Sequence, residues 1–304
     1  MKLIFSLLLS LGCSCAIVQA KLNVVVTTSD LAAIAREIGG EHIELTTLAR
    51  PTEDPHFVDP KPSFMVKLNK ADALIQGGAE LEIGWLPPLV QGARNSKIAP
   101  GGPGNINANS GVEMLDVPSQ LDRSKGDIHA AGNPHYLVDP MNAKIAARNI
   151  ANGFSRLDPA SAAAYQANYD RFASTLDAKL SEWLKKLAAA KGESVVAYHD
   201  SWSYFANRFG FKINMFLEPK PGIPPTPTHL AEVISGMKEQ HAHVILVDFY
   251  LDSRTAETVA SRADATVVPV SQFPGAIKGT EQGYVALLDY LVDSIAKAFA
   301  AHKP

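Results

Sequence analysis

The sequence predicts an α/β protein of two lobes joined by one long helix. Three observations predict it. The chain has 304 residues, and one domain usually takes ~100–200, so two domains are expected, each with enough chain to bury a core. Short apolar runs alternate with stretches of helical period in both halves, the pattern of parallel sheets covered by helices. Between the halves, from Pro159 to about Ala190, lies a stretch without an internal glycine or proline. The expected organisation is a leader over 1–20, a first lobe over 21–157, the linking helix over 158–191 and a second lobe over 192–304.

The elements follow in order. Residues 23–27 form a short apolar run and read as a buried strand. Thr28, Ser29 and Asp30 are residues that cap a helix, here Leu31–Ile38, which Gly39-Gly40 ends. His42–Leu48 reads as a strand, Pro62–Asn69 as a helix, Ala73–Gln76 as a strand and Leu81–Ala93 as a helix. Residues 95–133 lack periodicity and are expected to loop around one strand near Val112–Val117; Met141–Arg156 is again helical. In the linking stretch Tyr165, Tyr169, Phe172, Leu176, Leu180, Trp183 and Leu184 recur at spacings of three and four. That predicts one amphipathic helix of about 30 residues, ~45 Å long. The second half repeats the alternation. Strands are expected at Ser194–Tyr198, Ile213–Phe216, Val244–Val247 and Thr266–Val270. Helices are expected at Trp202–Arg208, Thr228–Gln240, Ser253–Arg262 and Thr280–Ala301.

Composition narrows the function classes. Hydrophobic residues at 46% and charged residues at 19% exclude a disordered chain. With 28 basic and 31 acidic residues the net charge is −3, which offers no basic footprint for nucleic acid. Residues 1–20 combine Lys2, an apolar run from Leu3 to Leu11 and the small-residue site Val18-Gln19-Ala20. This reads as a secretory leader cleaved after Ala20. Gly12-Cys13 resembles a lipidation box, but Ser10 stands where such boxes usually carry leucine, and simple secretion is the expectation. Cys13 and Cys15 both fall within the leader. A mature chain would have no thiolate, so any metal must be held by nitrogen and oxygen.

Two of the nine histidines share a setting. Pro55-His56-Phe57-Val58-Asp59-Pro60 and Pro134-His135-Tyr136-Leu137-Val138-Asp139-Pro140 each place a histidine after a proline and shortly before Asp-Pro. Asp-Pro is a helix start, with Asp as cap and Pro in the first turn. His199, in Tyr198-His199-Asp200, follows a strand and precedes a helix, where α/β lobes bind ligands. Asp200 is read as a helix cap or as a group that orients an imidazole. Each histidine taken singly also fits a hydrogen-bonding loop residue; three of them on pre-helix loops of both lobes fit a metal held between the lobes. His42, His229, His241, His243 and His302 read as structural or solvated, and His129 as a loop residue that could touch a passing metal.

Three imidazoles on zinc usually leave a fourth position for a carboxylate or water. Asp248, at the end of a predicted strand, is the candidate, with a helix cap as its other reading. Glu53, Asp54, Gln272 and water are alternatives.

These residues resemble the metal-binding periplasmic components of ABC importers for zinc and manganese, the cluster A-I solute-binding proteins. The likeness rests on Thr27-Thr28-Ser29-Asp30, Asp54-Pro55-His56-Phe57, Lys70-Ala71-Asp72, Asn133-Pro134-His135 with Asp139-Pro140, Tyr198-His199-Asp200, and Glu218-Pro219-Lys220-Pro221-Gly222-Ile223. The resemblance implies two Rossmann-like lobes, a long bridging helix, and a metal in the cleft on His56, His135 and His199. It implies a periplasmic, monomeric protein that hands its ion to a permease in the cytoplasmic membrane, with a metallochaperone as a further partner. A histidine at the third position is similar to the zinc binders; manganese-type members carry Glu there. The family's acid after the last strand is replaced by Ser271-Gln272, and its histidine-rich loop is reduced to His129 within 115–133.

Two function classes stand against each other. A binding protein captures Zn(II), or Mn(II), for transport. A three-histidine zinc hydrolase would activate a bound water. The chain carries neither HExxH nor Gly-x-Ser-x-Gly, and no motif places a general base. Binding is the expected function.

Overall fold

A computed structural model describes residues 20–120 and 129–302. The leader reading, including Cys13 and Cys15, falls on residues 1–19 and lies outside the described residues. The first half contains β1 (Leu22–Val26), α1 (Ser29–Gly39), β2 (Ile43–Thr47), α2 (Pro62–Lys70), β3 (Ala73–Gln76), α3 (Leu86–Ala93), β4 (Asn105–Asn107) and α4 (Pro140–Leu157). Its sheet is parallel, in the order β2-β1-β3-β4. After α5 (Ala162–Lys186) come β5 (Ser194–Ala197), α6 (Ser203–Phe209), β6 (Lys212–Phe216), α7 (Pro227–Glu239), β7 (Val244–Asp248), α8 (Ser253–Ala263), β8 (Thr266–Val270) and α9 (Tyr284–Ala301). The second sheet is parallel in the equivalent order, β6-β5-β7-β8. The predicted class is therefore what the chain adopts: two parallel-sheet lobes joined by a long helix.

Four expectations need correction. No strand forms at Val112–Val117; the fourth strand of the first sheet is Asn105–Asn107, paired with β3. The backbone of Leu115 is satisfied elsewhere: its N–H donates to the Tyr204 hydroxyl at 2.9 Å and its carbonyl accepts from Asn133 N–H at 2.8 Å. The helix predicted from Leu81 starts at Leu86, where Pro87 and Pro88 suit a first turn. Asp59-Pro60, read as a helix start, is not one: the helix begins at Pro62, where the pattern placed it, and Lys61, held extended before proline, precedes it. The linking helix is 25 residues rather than about 30, roughly 37 Å, and is bounded by 3-10 turns at Pro159–Ser161 and Ala188–Ala190. By contrast, Asp139 caps α4 as expected, accepting from Met141 N–H at 2.8 Å.

The lobes share a core. One apolar cluster runs from Val24, Val26 and Ile75 of the first sheet, through α1, α4 and α5, to α9 and Val195, Leu246 and Val268 of the second. Each sheet keeps a separate cluster on its other face, around Leu74 and Trp85 in one lobe and Ile245 and Val259 in the other. Helix α5 buries Tyr165, Tyr169, Phe172, Leu176 and Trp183, the stripe that its period predicts. Near its end it is tied to α9: Trp183 Nε1–H donates to Asp289 at 2.8 Å, with Lys179 beside it at 3.1 Å. Among the described residues no helix is long and apolar enough to cross a membrane.

Candidate metal centre

Parallel strands all point their carboxyl ends the same way, so the loops that follow them gather at one edge. His56 lies in the loop after β2, His135 in the segment after β4, and His199 two residues after β5. Their rings meet: centroid separations are 5.1 Å for His56–His135, 5.7 Å for His56–His199 and 5.5 Å for His135–His199. One nitrogen from each ring falls within 4.8 Å of the others. Tetrahedral Zn(II) would want nitrogens ~3.4 Å apart, so side-chain shifts of about 1 Å close the set.

Each ring is oriented by a partner on Nδ1. Asp54 Oδ1 lies 2.8 Å from His56 Nδ1 and also accepts the His56 backbone N–H at 2.9 Å. Gln272 Oε1 lies 2.9 Å from His135 Nδ1. Glu218 Oε2 lies 2.8 Å from His199 Nδ1 and accepts the Gly222 N–H at 3.1 Å. That last contact needs the left-handed turn at Gly222, φ +74°, which glycine supplies without strain. With Nδ1–H donating, each Nε2 carries a lone pair, the tautomer a metal-binding histidine needs. His56 Nε2 is fully buried with no hydrogen-bond partner. Such an orphan costs about 1–3 kcal/mol, and a cation would satisfy it.

The loops are held from both lobes. Trp85 Nε1–H donates to the Pro55 carbonyl at 2.9 Å, which fixes the turn before His56. The His135 loop is fastened by the Tyr204 hydroxyl to Asn133 O at 2.8 Å and the Tyr284 hydroxyl to Leu137 O at 2.5 Å. Arg208 forms a fork on Asp139, both bonds 2.8 Å. Thus second-half residues position a first-half histidine, and His135 is the most buried of the three, at 4% exposure.

Asp248 ends β7 and is fully buried. Its Oδ2 accepts from Trp202 Nε1–H at 3.1 Å and its Oδ1 has no partner. It caps no helix; Asp252 caps α8. It faces the histidines electrostatically but stands outside the 4.8 Å cluster. Glu53 is spent on Arg50, whose backbone N–H and Nε–H it accepts, both at 2.8 Å. Asp200 accepts from the Ser203 hydroxyl and orients no imidazole among the described contacts. His129 stacks on His56, centroids 5.3 Å apart, and lines a cavity of about 140 Å³ with His135, His199 and Asp200. A larger cavity, about 730 Å³, lies in the first lobe around Ile83, Leu86 and Val90 and is lined by none of the histidines; it has the wrong size and lining for an ion.

The environment separates the protonation behaviour of the rings. Burial, then the neighbouring His56 and His199, holds His135 well below its ordinary pKa. The same causes push His129 down to about 4. Burial also opposes a charged His199, but the Glu218 hydrogen bond and charge, with Asp248 and Asp54 behind, outweigh it and raise its pKa. Burial would raise Asp54, yet its bond to His56 holds it low. Burial lifts Asp248 to about 6.

The structure brings together the three histidines that the sequence singled out, and adds Glu218 as an orienting group that the sequence reading missed. Its only signal was membership of the Pro- and Gly-rich loop. Asp54 and Gln272, considered as ligands, each contact a ring nitrogen.

Comparison with known proteins gives the family. The family described as zinc-uptake complex component A, periplasmic, matches residues 24–298. A manganese ABC transporter substrate-binding lipoprotein, PsaA, from Streptococcus pneumoniae serotype 4 is 27% identical over 92% of this chain and 90% of its own. The iron-binding protein YfeA of Yersinia pestis is 27% identical over 92% of this chain and 86% of its own. A crystal structure of ZnuA superposes with a TM-score of 0.77 at 21% identity, covering 92% of this chain and 99% of that one. A profile match over nearly all of the described chain, with the cleft and its histidines, places the chain in the family of metal-binding solute-binding proteins of ABC importers, that of zinc-uptake complex component A.

Proposed function

We propose that the chain captures Zn(II) outside the cytoplasm on His56, His135 and His199, and delivers it to an ABC permease in the cytoplasmic membrane. The observation that supports this most is that all three rings have Nδ1 engaged by a side chain, leaving Nε2 for a metal, and that one nitrogen of each ring falls within 4.8 Å of the others. We assign the fourth position to Asp248, on the strength of its unpartnered buried Oδ1, with water as the alternative.

Zinc is preferred to manganese for a chemical reason. Imidazole suits Zn(II), whereas Mn(II) favours carboxylate and water oxygens. The relatives are named for manganese, for iron and, in the solved structure, for ZnuA, so the donor set of each chain must select the ion. The chain is a transport component and not an enzyme.

The reading carries further parts. The leader 1–20 is removed after Ala20 and leaves a periplasmic monomer, with lobes over 21–157 and 192–304 about a linker at 158–191, and a metallochaperone as an additional donor of zinc. Several relatives are named lipoproteins, which keeps anchoring at Cys13 as the competing outcome of an intact-mass measurement. The main test is competition between Zn(II) and Mn(II) for the purified protein. One equivalent of zinc should bind in preference; tighter manganese binding would overturn the zinc assignment.

A further inference from the structure

The described residues contain a second group able to hold a metal, and it is remote from the cleft. His243 immediately precedes β7, Asp264 follows α8, and His302 follows α9. One ligand atom from each lies within 4.8 Å of the others. The two rings stack with centroids 4.9 Å apart and planes 13° from parallel. Strand β7 runs from beside His243 to Asp248, and its five residues put roughly 17 Å between this group and the cleft end of the sheet. The group sits at the amino edge of the strands, whereas the cleft histidines sit at the carboxyl edge.

Each ring is already oriented. His243 Nδ1 lies 2.8 Å from the backbone carbonyl of Asp264, so Nδ1 carries the proton and Nε2 the lone pair. His302 Nε2 lies 2.8 Å from the Thr266 hydroxyl, which leaves Nδ1 as its other nitrogen. Asp264 adopts a left-handed conformation, φ +53°, a region that Asp enters more easily than most residues. Its carbonyl is thereby spent on His243 while its carboxylate stays exposed. Two imidazoles with a backbone or hydroxyl partner, and one free carboxylate, are the donors of a first-row divalent cation that favours nitrogen.

We propose that His243, Asp264 and His302 form a second, solvent-exposed site for Zn(II) or a similar imidazole-seeking divalent ion, weaker than the cleft and independent of it. The weakness follows from exposure: water competes for the ion, and neutral oxygens rather than carboxylates support the rings.

The test is Zn(II) titration by calorimetry on untagged protein. The wild type should take up two equivalents, one tight and one weaker. His243→Ala with His302→Ala should retain the tight equivalent, which also reports an intact fold, and lose the weaker one. A triple alanine variant at 56, 135 and 199 should do the reverse. Asp264→Asn should weaken the second equivalent at least severalfold. A single equivalent that the triple cleft variant abolishes, or a second one that survives in the His243/His302 variant, overturns the site. An Asp264→Asn variant with unchanged second affinity overturns the three-ligand assignment. A single equivalent that disappears in the His243/His302 variant would instead count against the cleft reading.

Discussion

One histidine group of this chain gathers at the carboxyl ends of both sheets and the other sits at the amino end of the second sheet, and they differ in what stands behind the rings. In the cleft, two rings lean on carboxylates and one on a buried amide: Asp54, Glu218 and Gln272. At the far edge, His243 leans on a backbone carbonyl and His302 on a hydroxyl. The cleft rings come from three distant stretches, and the His135 loop is held by tyrosines and an arginine of the other half. The far-edge group is assembled within the second half. A ligand gains affinity from burial and from a partner that raises its basicity. Similar residue types therefore make two sites of different strength.

Three experiments would break or sharpen that contrast. The largest effect is expected from removing a cleft ring. His56→Ala, His135→Ala or His199→Ala should each weaken zinc by more than ~100-fold, beyond what losing an orienting partner costs. Competition against a chromophoric chelator measures this, and unchanged affinity in all three variants would remove the cleft site. Glu218→Gln should cost less, about 10–100-fold, and should also change the pH profile. Zinc must displace a proton from His199, and Glu218 raises that ring's pKa. In the wild type, zinc affinity should therefore already fall as pH drops towards and through the ordinary imidazole value of ~6.5. Without the Glu218 charge, burial lowers the His199 pKa, and the fall should move to lower pH. A profile that does not move would show that another group governs release. The smallest loss of affinity is expected for Asp248→Ala. It should weaken zinc less than any histidine change, while stability falls by about 1–3 kcal/mol because Trp202 Nε1–H loses its buried acceptor. Denaturant unfolding and the zinc titration read the two separately; no change in affinity would give the fourth position to water or to Gln272.

The local sequence made much of this legible. Alternation of apolar runs and helical periods marked the lobes, because each strand and helix must bury its own face. The Pro-His segments and Tyr198-His199-Asp200 stood out because prolines, caps and strand ends are local signals. Asp54 entered the sequence reading only as a candidate ligand, although its contact is local, with a residue only two positions away. Other features were not legible. Asn105–Asn107 has no apolar alternation, being a short edge strand, while Val112–Val117 has apolar residues whose backbone is claimed by Tyr204 and Asn133. His302, read as structural or solvated, packs on His243 from 59 positions away in the chain.

By itself, the sequence determined the alternating elements, the two-lobed class and which histidines stand on loops at strand ends, because period, capping and proline geometry act over a few residues. Only the tertiary structure decided that those rings share a centre, that Glu218 and Gln272 aim them, and that Asp248 keeps a buried oxygen without a partner. Those are distances between segments far apart in sequence, and they are set by how two sheets and their shared core bring one edge of each lobe together.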